Sequence, residues 1–456
     1  MLLLEWWILI ILKMYFSNNS SYFLILWGII MKKRGLSLVL ALCMLFCMAV
    51  MPAHAAKSGT CGNNVNWTLD DEGTLTISGV GGYMSDYRSA SSPWFGSRTS
   101  IKTVIIEDSI SRIGAYAFWL CDSITSITIG GNVRSIGEGA FCFCSALTNI
   151  TIPDSVWSIG SNAFNGCRSL TSITIGNSVT SIGDSAFKNC SDLTGVIIPN
   201  SVTSIGGYAF FRCSSLTSIT IPYSVTSIGY YAFRDCSNLT AINVSENNEV
   251  YSSKEGVFFD KNKTNLIQCP GGKTGAYTIP NSVISIGMFA FSECNNLTSI
   301  VVSDNVTSIA CYAFFYCSHL ISITISNSVT NIEEDAFRDC SSLTDIYYVG
   351  TEEDWNKISI GGENDELKNA SHHYIPSIKL TAYGSSFTVT PKNIATGNSI
   401  MFAVYKDGKM VDMQTKSYDG ENSVFSITVP YDTVKAMVWE NLTSMEPLCP
   451  LKTISQ

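Results

Sequence analysis

The chain has 456 residues, of which only 14% are charged, and its formal net charge is −9. This acidic balance disfavours nucleic-acid binding, which needs a basic surface. The four histidines include no His-Glu-x-x-His pattern, so the sequence carries no zinc-hydrolase motif of that type. We therefore expect no nucleic-acid partner and look for function elsewhere.

The first 55 residues are predicted to lie outside the folded protein. Residues 31–55 read as a secretory signal peptide, with basic residues at 32–34, an uncharged apolar run at 36–51 and small residues at 53–55. Because a signal peptide begins at the initiator, residues 1–30 are interpreted as an upstream extension from a misplaced start. The alternative is two membrane segments, each shorter than the roughly 20 residues that cross a bilayer. We expect a secreted or extracellular surface-associated protein without a membrane span in the mature chain.

An Ala-Phe pair recurs through the middle of the chain with a period of 23 residues. A cysteine follows each Phe by three residues, and the Phe positions are 118, 141, 164, 187, 210, 233, 291, 314 and 337. One unit, residues 170–192, reads LTSITIGNSVTSIGDSAFKNCSD. The units define coils 1 to 10, which begin at residues 101, 124, 147, 170, 193, 216, 239, 274, 297 and 320. Nine matches at a fixed period indicate a repeat architecture.

Each unit predicts one coil of a solenoid. Ile173 and Ile175 alternate with Thr as in a strand with one buried face, and Gly183 is expected to permit a tight bend. Phe187 and Cys190 then close the far side of the coil. One coil cannot bury enough apolar surface to offset the entropy of ordering its residues, so the coils must stack, strand beside parallel strand. The longer coil 7, residues 239–273, is predicted to contain a protruding hairpin.

The unit L-x-x-I-x-I-P-x-S-V-x-x-I-G-x-x-A-F-x-x-C resembles the BspA-type (Treponema pallidum-type) leucine-rich repeats of bacterial surface proteins. The resemblance implies a right-handed solenoid with a parallel β-sheet on its concave face and short 3₁₀ or turn segments on its convex face. Members of this family are secreted or surface-attached and are implicated in adhesion to host proteins, epithelium or other bacteria. The repeat implies no catalytic residues.

The segments around the repeats are interpreted as two caps and a further module. The boundaries are an N-terminal β cap at 56–100, the solenoid at 101–346, a C-terminal cap at 347–375 and a small β-sandwich at 376–456. The first cap contains predicted strands at 65–69 and 74–78. The second contains a short helix after Thr351, a plausible N-cap, and a closing strand at 372–374. Alternating apolar stretches with Asp-Gly turns are typical of an antiparallel sandwich.

Candidate chemical sites are sparse. The chain has 16 cysteines, nine of them at the repeat position. Neighbouring positions lie about 5 Å apart, but their Cβ vectors point the same way, which is unfavourable for a disulfide. We therefore predict a buried column of free thiols. His319, His372 and His373 have no recurring carboxylate beside them, and no carboxylate pair has glycosidase-like spacing. No catalytic residue, metal or cofactor is predicted.

Two surfaces are the candidate binding sites. Outward strand positions give a hydroxyl-rich, nearly uncharged face that contains Thr125, Thr128, Thr148, Thr151, Thr171, Thr174, Thr217 and Thr220. The position two residues before the repeat Phe is often aromatic and gives a second surface with Tyr116, Tyr208, Tyr231, Phe289 and Tyr312. Each of these two surfaces also has a purely structural explanation. Threonine favours strands whether or not it binds a ligand, and the aromatic rings can pack between coils.

The leading hypothesis is a non-catalytic, adhesin-like binding protein that recognises host or bacterial surface proteins or glycans through the solenoid faces. One alternative is a structural spacer or accessory subunit that presents the C-terminal β module. A less favoured alternative is an enzyme subunit with its chemistry in that module, which holds no histidine and no catalytic motif.

Overall fold

The repeats form a parallel β-solenoid in the computed structural model, which confirms the predicted fold class. The structure describes residues 57–383, 385–392, 394, 396–439 and 452–455. The signal peptide and the upstream extension predicted for residues 1–55 lie outside the described residues, as does Cys449. From residue 58 onward the described chain belongs to one compact unit.

The Ile-containing strands of the coils stack in parallel in four hydrogen-bonded groups, which we together call the first sheet. Ile150 and Ile173 are paired in register and buried, while Thr151 and Thr174 are paired in register and exposed. The strands are β3 (Thr103–Ile106), β5 (Ser126–Ile129), β7 (Asn149–Thr151), β9 (Ser172–Thr174), β11 (Gly195–Val196), β13 (Ser218–Ile221), β15 (Ala241–Val244), β19 (Gly275–Thr278), β21 (Leu297–Val301), β23 (Ser322–Ser326) and β25 (Asp345–Val349). The alternation predicted from sequence therefore separates a buried from an exposed face.

A second set of parallel strands, which was not predicted from the sequence, runs along the solenoid in two hydrogen-bonded groups, one on each side of the insertion in coil 7, and we together call them the second sheet. Each coil contributes only two residues, such as Ser181–Ile182, which pair with Ser158–Ile159 and Ser204–Ile205. Its strands are β4 (Arg112–Ile113), β6 (Ser135–Ile136), β8 (Ser158–Ile159), β10 (Ser181–Ile182), β12 (Ser204–Ile205), β14 (Ser227–Ile228), β20 (Ser285–Ile286), β22 (Ser308–Ile309), β24 (Asn331–Ile332) and β26 (Ser359–Ile360). A strand of two residues is too short to show the alternation of apolar and polar side chains from which a strand is predicted.

Gly183 follows strand β10 and has a different role from the predicted bend. Its φ lies outside the left-handed region. A Cβ atom at this position would lie 2.5 Å from the backbone nitrogen of Ser161 and 2.6 Å from the carbonyl carbon of Gly160, both in the preceding coil. Glycine is needed here because two backbones approach closely, not because the backbone takes a left-handed conformation.

The Ala-Phe turn closes each coil and uses left-handed backbone on both sides of the Phe. In coil 5 the residues two before and two after Phe210 are Tyr208 and Arg212, with φ of 55° and 58°. Three alternate N–H groups of coil 4 donate to coil 5: Ser185 to the Gly207 carbonyl at 2.7 Å, Phe187 to Ala209 at 2.8 Å, and Asn189 to Phe211 at 2.8 Å. These turns form the face that we call the turn face.

The interior is a ladder of phenylalanine rings. Phe141, Phe164, Phe187 and Phe210 are fully buried, and neighbouring centroids lie 5.3 to 5.4 Å apart with nearly parallel planes. The predicted inward position of the repeat Phe is thus confirmed. Offset stacking at this spacing adds to the burial of apolar surface.

The repeat cysteines form a second buried ladder. Seven of the nine thiols donate to the Phe carbonyl of the coil before them, as Cys190 does to Phe164 at 3.3 Å and Cys213 to Phe187 at 3.2 Å. Cys294, which follows the insertion, lies instead 3.7 Å from the Cys269 carbonyl. All 13 cysteines among the described residues are free, which confirms the predicted thiol column. Burial raises the pKa of Cys236 to about 12, so this thiol stays protonated.

Alkylation of the native protein is expected to spare this ladder. Iodoacetamide reacts with thiolates, and buried, protonated thiols present none. Of the 13 described cysteines only Cys311 is partly exposed. Peptide mass spectrometry should find every ladder cysteine unmodified in the folded protein and modified after denaturation in guanidinium chloride. Native labelling of Cys190 or Cys213, or a disulfide between them, would contradict the free, buried column.

Coil 7 contains the inserted hairpin, but this hairpin does not protrude. Strands β16 (Tyr251–Lys254), β17 (Val257–Asp260) and β18 (Asn265–Gln268) pair antiparallel, and β18 continues in parallel with β20. Phe258 is buried in the core of coils 1 to 7, whereas Val257 and Phe259 are buried in the core of the later coils. The insertion therefore divides the interior into two apolar clusters.

The N-terminal cap continues the first sheet. Strands β1 (Lys57–Leu69) and β2 (Thr74–Met84) are antiparallel, and β2 pairs in parallel with β3. Both are longer than predicted. A 3₁₀ helix spans Phe95–Ser100. The buried Trp94 ring stacks on Phe118 at 5.5 Å, and its Nε1 donates to the Ala117 carbonyl at 2.9 Å, so Trp94 closes the first end of the Phe ladder.

The C-terminal cap contains helices α1 (Glu352–Trp355) and α2 (Asp365–Asn369) and strand β27 (Ser371–Ile375). As predicted, Thr351 caps α1, since its hydroxyl accepts the Asp354 N–H at 3.2 Å, and residues 372–374 form a closing strand that pairs with β25. The buried Asn364 accepts the N–H of Phe337, and Glu366 accepts the N–H of Asp339, both at 2.9 Å. The side chains of the cap thus accept the hydrogen bonds that the backbone carbonyls of a further coil would accept.

The C-terminal module is a pair of antiparallel sheets packed around Phe387, Phe402 and Phe425. One sheet contains β28 (Ser377–Tyr383), β29 (Ser386–Lys392) and β32 (Ser423–Ser426), and the other contains β31 (Lys409–Ser417), β30 (Ser399–Lys406), β33 (Thr433–Trp439) and β34 (Lys452–Ser455). Lys392 forms a 2.9 Å ion pair with Asp354 of the cap. Strand β31 was not predicted from the sequence, and its side chains are mostly exposed on both faces.

Candidate functional site

The predicted hydroxyl-rich face lies on the outer side of the first sheet. All eight candidate threonines are exposed, and they fall into two parallel rows with different environments. The first row contains Thr125, Thr148, Thr171 and Thr217, and the second contains Thr128, Thr151, Thr174 and Thr220. The rows must therefore be considered separately.

Threonines of the first row contribute to the solenoid itself. The Thr171 hydroxyl donates to the Thr148 carbonyl of the preceding coil at 3.0 Å, and Thr125 donates to the Lys102 carbonyl at 3.3 Å. Thr217 makes the same contact with Thr194 at 3.5 Å. Each of these three hydroxyls ties one coil to the coil before it, whereas the Thr148 hydroxyl accepts a hydrogen bond from the Asn149 side chain at 3.2 Å. A structural role thus accounts for these threonines.

The second row is open to solvent. The hydroxyls of Thr128, Thr151, Thr174 and Thr220 make no hydrogen bond to the residues that the structure describes. Ile197 occupies the same position in coil 5 and is 84% exposed. We call these five residues the Ile197 row. An exposed apolar centre with hydrogen-bonding groups on both sides has the composition of a recognition surface.

The same row continues past the insertion with residues that the sequence analysis did not select. Val301, Thr324, Tyr347 and His373 are paired in register from strand to strand. The Tyr347 and His373 rings stack at 4.8 Å, and His373 Nε2 lies 2.7 Å from the Asp345 carboxylate. The hydrogen bonds from Thr344 and His373 lower the pKa of Asp345. To find these four residues from the sequence, the strands before the irregular insertion in coil 7 would have to be aligned with the strands after it.

The aromatic candidates lie on the turn face, where four of the five are brought together. Centroids are 4.9 Å apart for Tyr208 and Tyr231, 5.0 Å for Tyr231 and Phe289, and 4.8 Å for Phe289 and Tyr312. With their neighbours they form what we call the aromatic band: Tyr208, Phe211, Tyr230, Tyr231, Phe289, Tyr312, Phe315 and Tyr316. The rings pack between coils. Phe211 is buried, whereas the other rings still reach solvent, most of all Tyr230, which is 83% exposed.

Tyr116 does not belong to the band. The corresponding position is Gly139, Asn162 and Ser185 in coils 2 to 4, and these small residues separate it from Tyr208. Its hydroxyl donates to Glu138 at 2.5 Å, and this hydrogen bond raises the pKa of Tyr116 to about 12. Tyr116 is therefore an isolated side chain at the N-terminal end of the turn face.

Cations lie over the rings of the band. The Arg234 guanidinium is 4.3 Å from the Phe289 centroid, and Lys188 Nζ is 5.3 Å from Tyr208 and 5.2 Å from Phe211. Arg212 lies 5.1 Å from Phe211. Such contacts hold the rings and cations in fixed positions. Tyr and Arg are also the residue types that dominate the energetic centres of protein interfaces.

An ionic cluster lies at the middle of the band, where it crosses the insertion. Asp235 forms ion pairs with Arg212 and Arg234, each at 3.2 Å, and Arg234 also approaches Glu293 at 3.9 Å. Burial raises the pKa of Glu293 to about 7, and the nearby Asp235 carboxylate adds to this effect. The cluster joins the turns of coils 6 and 8 on either side of the inserted segment.

Among the described residues, no three His, Cys, Asp or Glu side chains cluster in a way that would hold a metal ion. His319 is exposed, whereas the His372 ring packs on Trp355 at 4.8 Å in the cap. Burial lowers the pKa of His372. None of the helices in the described ranges has the length and apolar character needed to cross a membrane.

Several solved structures are similar to this chain. A leucine-rich repeat protein from Eubacterium ventriosum is 30% identical, covering 65% of this chain and 73% of its own, with a TM-score of 0.48. A leucine-rich cell surface protein from Faecalibacterium prausnitzii is 29% identical, covering 67% and 98%, also with a TM-score of 0.48. The pneumococcal vaccine antigen PcpA is 16% identical, covering 70% and 98%, with a TM-score of 0.41. No curated protein matches the chain.

A family model for the BspA-type leucine-rich repeat region matches in six copies over residues 85–194, 180–276 and 273–361. These matches include all the coils and more than half of the chain. They agree with the 23-residue unit, the parallel solenoid and the buried Phe and Cys ladders. The chain therefore belongs to the BspA-type leucine-rich repeat family.

Proposed function

We propose that this protein is a non-catalytic extracellular binding protein that captures a surface protein or glycan on its first sheet, across the Ile197 row. The observation that carries the proposal is the 84% exposure of Ile197 between open threonine positions. Burial of this side chain by a ligand removes apolar surface from water, and the flanking hydroxyls supply hydrogen bonds at its edge.

Extracellular location is supported by the signal-like residues at 31–55 and by a similar cell surface protein in F. prausnitzii. Where neighbouring strands are paired in register, as at Thr151 and Thr174, the outward side chains keep a fixed spacing, which suits recognition.

The proposal is tested with immobilised extracellular-matrix proteins and cell-surface glycans. A ligand captured by the wild-type chain should be bound at least tenfold more weakly by Ile197→Lys, because a charge then occupies the apolar centre. Val80→Lys is the matched control, since Val80 is 85% exposed and lies in the N-terminal cap. Thermal unfolding of both variants should equal that of the wild type. Undiminished capture by Ile197→Lys would refute the proposed face.

A further inference from the structure

The outer side of the first sheet carries no charged residue over six consecutive coils. Each coil from 2 to 7 has three outward positions there, occupied in coil 4 by Thr171, Ser172 and Thr174, and none of the six coils places Asp, Glu, Lys or Arg at any of them. We call this surface, three positions in each of coils 2 to 7, the neutral strip. It includes the Ile197 row and extends that row to Asn243 in coil 7, which pairs in register with Thr220.

Many hydroxyl groups of the neutral strip are not used by the protein itself. In addition to the threonines of the Ile197 row, Ser126, Ser172 and Ser218 are exposed and make no hydrogen bond to the residues that the structure describes. A hydroxyl group both donates and accepts, and it rotates to suit its partner. The strip therefore offers two neighbouring rows of free groups to a ligand that has donors and acceptors of its own.

These groups recur from coil to coil along the solenoid. Coils 3 to 5 are paired strand by strand, as Thr151 is with Thr174, and so are coils 6 and 7, which sets a spacing of about 4.8 Å. Coils 5 and 6 are joined by the Thr217 N–H, which donates to the Thr194 carbonyl at 3.4 Å, and the Ala146 N–H of coil 3 donates to coil 2 at 3.2 Å. A ligand that runs along the solenoid, across the strands, thus meets a similar set of groups at each coil.

A linear polysaccharide has the matching chemistry. Its sugars are identical units, each carries several hydroxyl groups, and an extended β-1,4-linked chain advances by nearly the spacing of one coil per sugar. Contacts that repeat along such a chain raise the affinity without any new kind of contact. The C–H groups on the face of one sugar ring can also cover the exposed side chain of Ile197.

Other classes of ligand fit the neutral strip less well. The energetic centres of protein interfaces are rich in Trp, Tyr and Arg, and the strip contains none of these three residue types. An acidic polysaccharide or a nucleic acid finds no cation on the strip with which to pair. The chemistry of the strip therefore favours an uncharged glycan.

We infer that the neutral strip binds an extended, neutral, β-1,4-linked polysaccharide whose chain runs along the solenoid with one sugar per coil. This inference rests on the proposed function and narrows its ligand from surface proteins and glycans to one class of glycan. The sugar hydroxyls exchange hydrogen bonds with the Ser and Thr rows, and the sugar at coil 5 lies on Ile197.

Isothermal titration calorimetry of the full chain with cellohexaose, xylohexaose and mannohexaose tests this inference. At least one of these neutral hexasaccharides should bind. Its dissociation constant should be at least tenfold lower than that of the disaccharide of the same sugar, because six coils then contribute contacts in place of two.

The double variant Thr151→Val, Thr174→Val removes two free hydroxyls and retains β-branched side chains, which suit a strand. It should raise the dissociation constant of the hexasaccharide at least tenfold, since two hydrogen bonds are lost. Thr415→Val is the matched control, because Thr415 is exposed on β31 in the C-terminal module, and it should leave the dissociation constant unchanged. Circular dichroism of each variant reports whether the fold is retained, and Ile197→Lys, which keeps both hydroxyls, should weaken the same hexasaccharide independently.

Three results would each overturn the inference: none of the hexasaccharides binds at millimolar concentration, the disaccharide binds as tightly as the hexasaccharide, or the double variant binds like the wild type. These results are distinguishable from failure of the proposed function. If Ile197→Lys loses capture of a matrix protein while no hexasaccharide binds the wild type, the proposed face stands and the polysaccharide is wrong. If Ile197→Lys captures every ligand as the wild type does, the face itself is wrong.

Discussion

Replacement of Phe187 by alanine is expected to lower the free energy of unfolding by about 3–5 kcal/mol. The ring is fully buried and lies between Phe164 at 5.4 Å and Phe210 at 5.3 Å. Its removal leaves a cavity that the stacked coils cannot collapse into, because their backbones are hydrogen-bonded on both sides. Urea unfolding, followed by circular dichroism, measures the change.

Asp192→Ala is the control for Phe187→Ala. Asp192 is in the same coil and exposed, and its loss should change the free energy of unfolding by no more than about 0.5 kcal/mol. Equal effects of the two substitutions would mean that the Phe ladder does not hold the coils together.

Asn364→Ala is expected to cost about 3 kcal/mol, the second largest effect. Asn364 is fully buried, accepts the Phe337 N–H at 2.9 Å and donates to the Glu333 carbonyl at 2.9 Å. Alanine leaves both backbone groups buried without these partners, and each orphaned group costs about 1–3 kcal/mol. The free energy of unfolding measures the total, and hydrogen exchange at the Phe337 amide reports the local loss.

The matched control for Asn364→Ala is Asn369→Ala, at the exposed end of α2. This substitution should have little effect on either readout. If hydrogen exchange at Phe337 is as slow in Asn364→Ala as in the wild type, then the side chain does not cap coil 10.

Much of the fold could be predicted because the same pattern of residues recurs in nine units of the chain. Burial of Phe187 and Cys190 follows from their invariant spacing, and the strand around Ile173 follows from its alternation. The second sheet escaped prediction because two residues, such as Ser181–Ile182, carry no periodicity. The role of Gly183 also depends on how closely the neighbouring coil approaches, which no single unit reveals.

The candidate site was harder to predict because the contacts are between coils. The sequence places Thr171 and Thr174 on the same face, but only the register shows that the Thr171 hydroxyl is used by the preceding coil. Tyr231 and Phe289 are separated by the insertion and nevertheless touch. Asp184, which looks like a variable surface residue, accepts the N–H of Gly207 at 2.7 Å. Spacing along the chain cannot reveal these partners.

The hydrogen bonds of the turn face align peptide dipoles along the axis of the solenoid. In coils 1 to 5, and again in coils 8 and 9, alternate N–H groups point toward the next turn, so the peptide dipoles within each of these two runs add as they do in an α-helix. The positive end falls at coil 10, where Glu366 receives the Asp339 N–H and the acidic Glu363 and Asp365 lie nearby. Additional coils would lengthen this dipole without altering its ends. The two caps are therefore not interchangeable: one must accept hydrogen bonds and carry negative charge, and the other must donate.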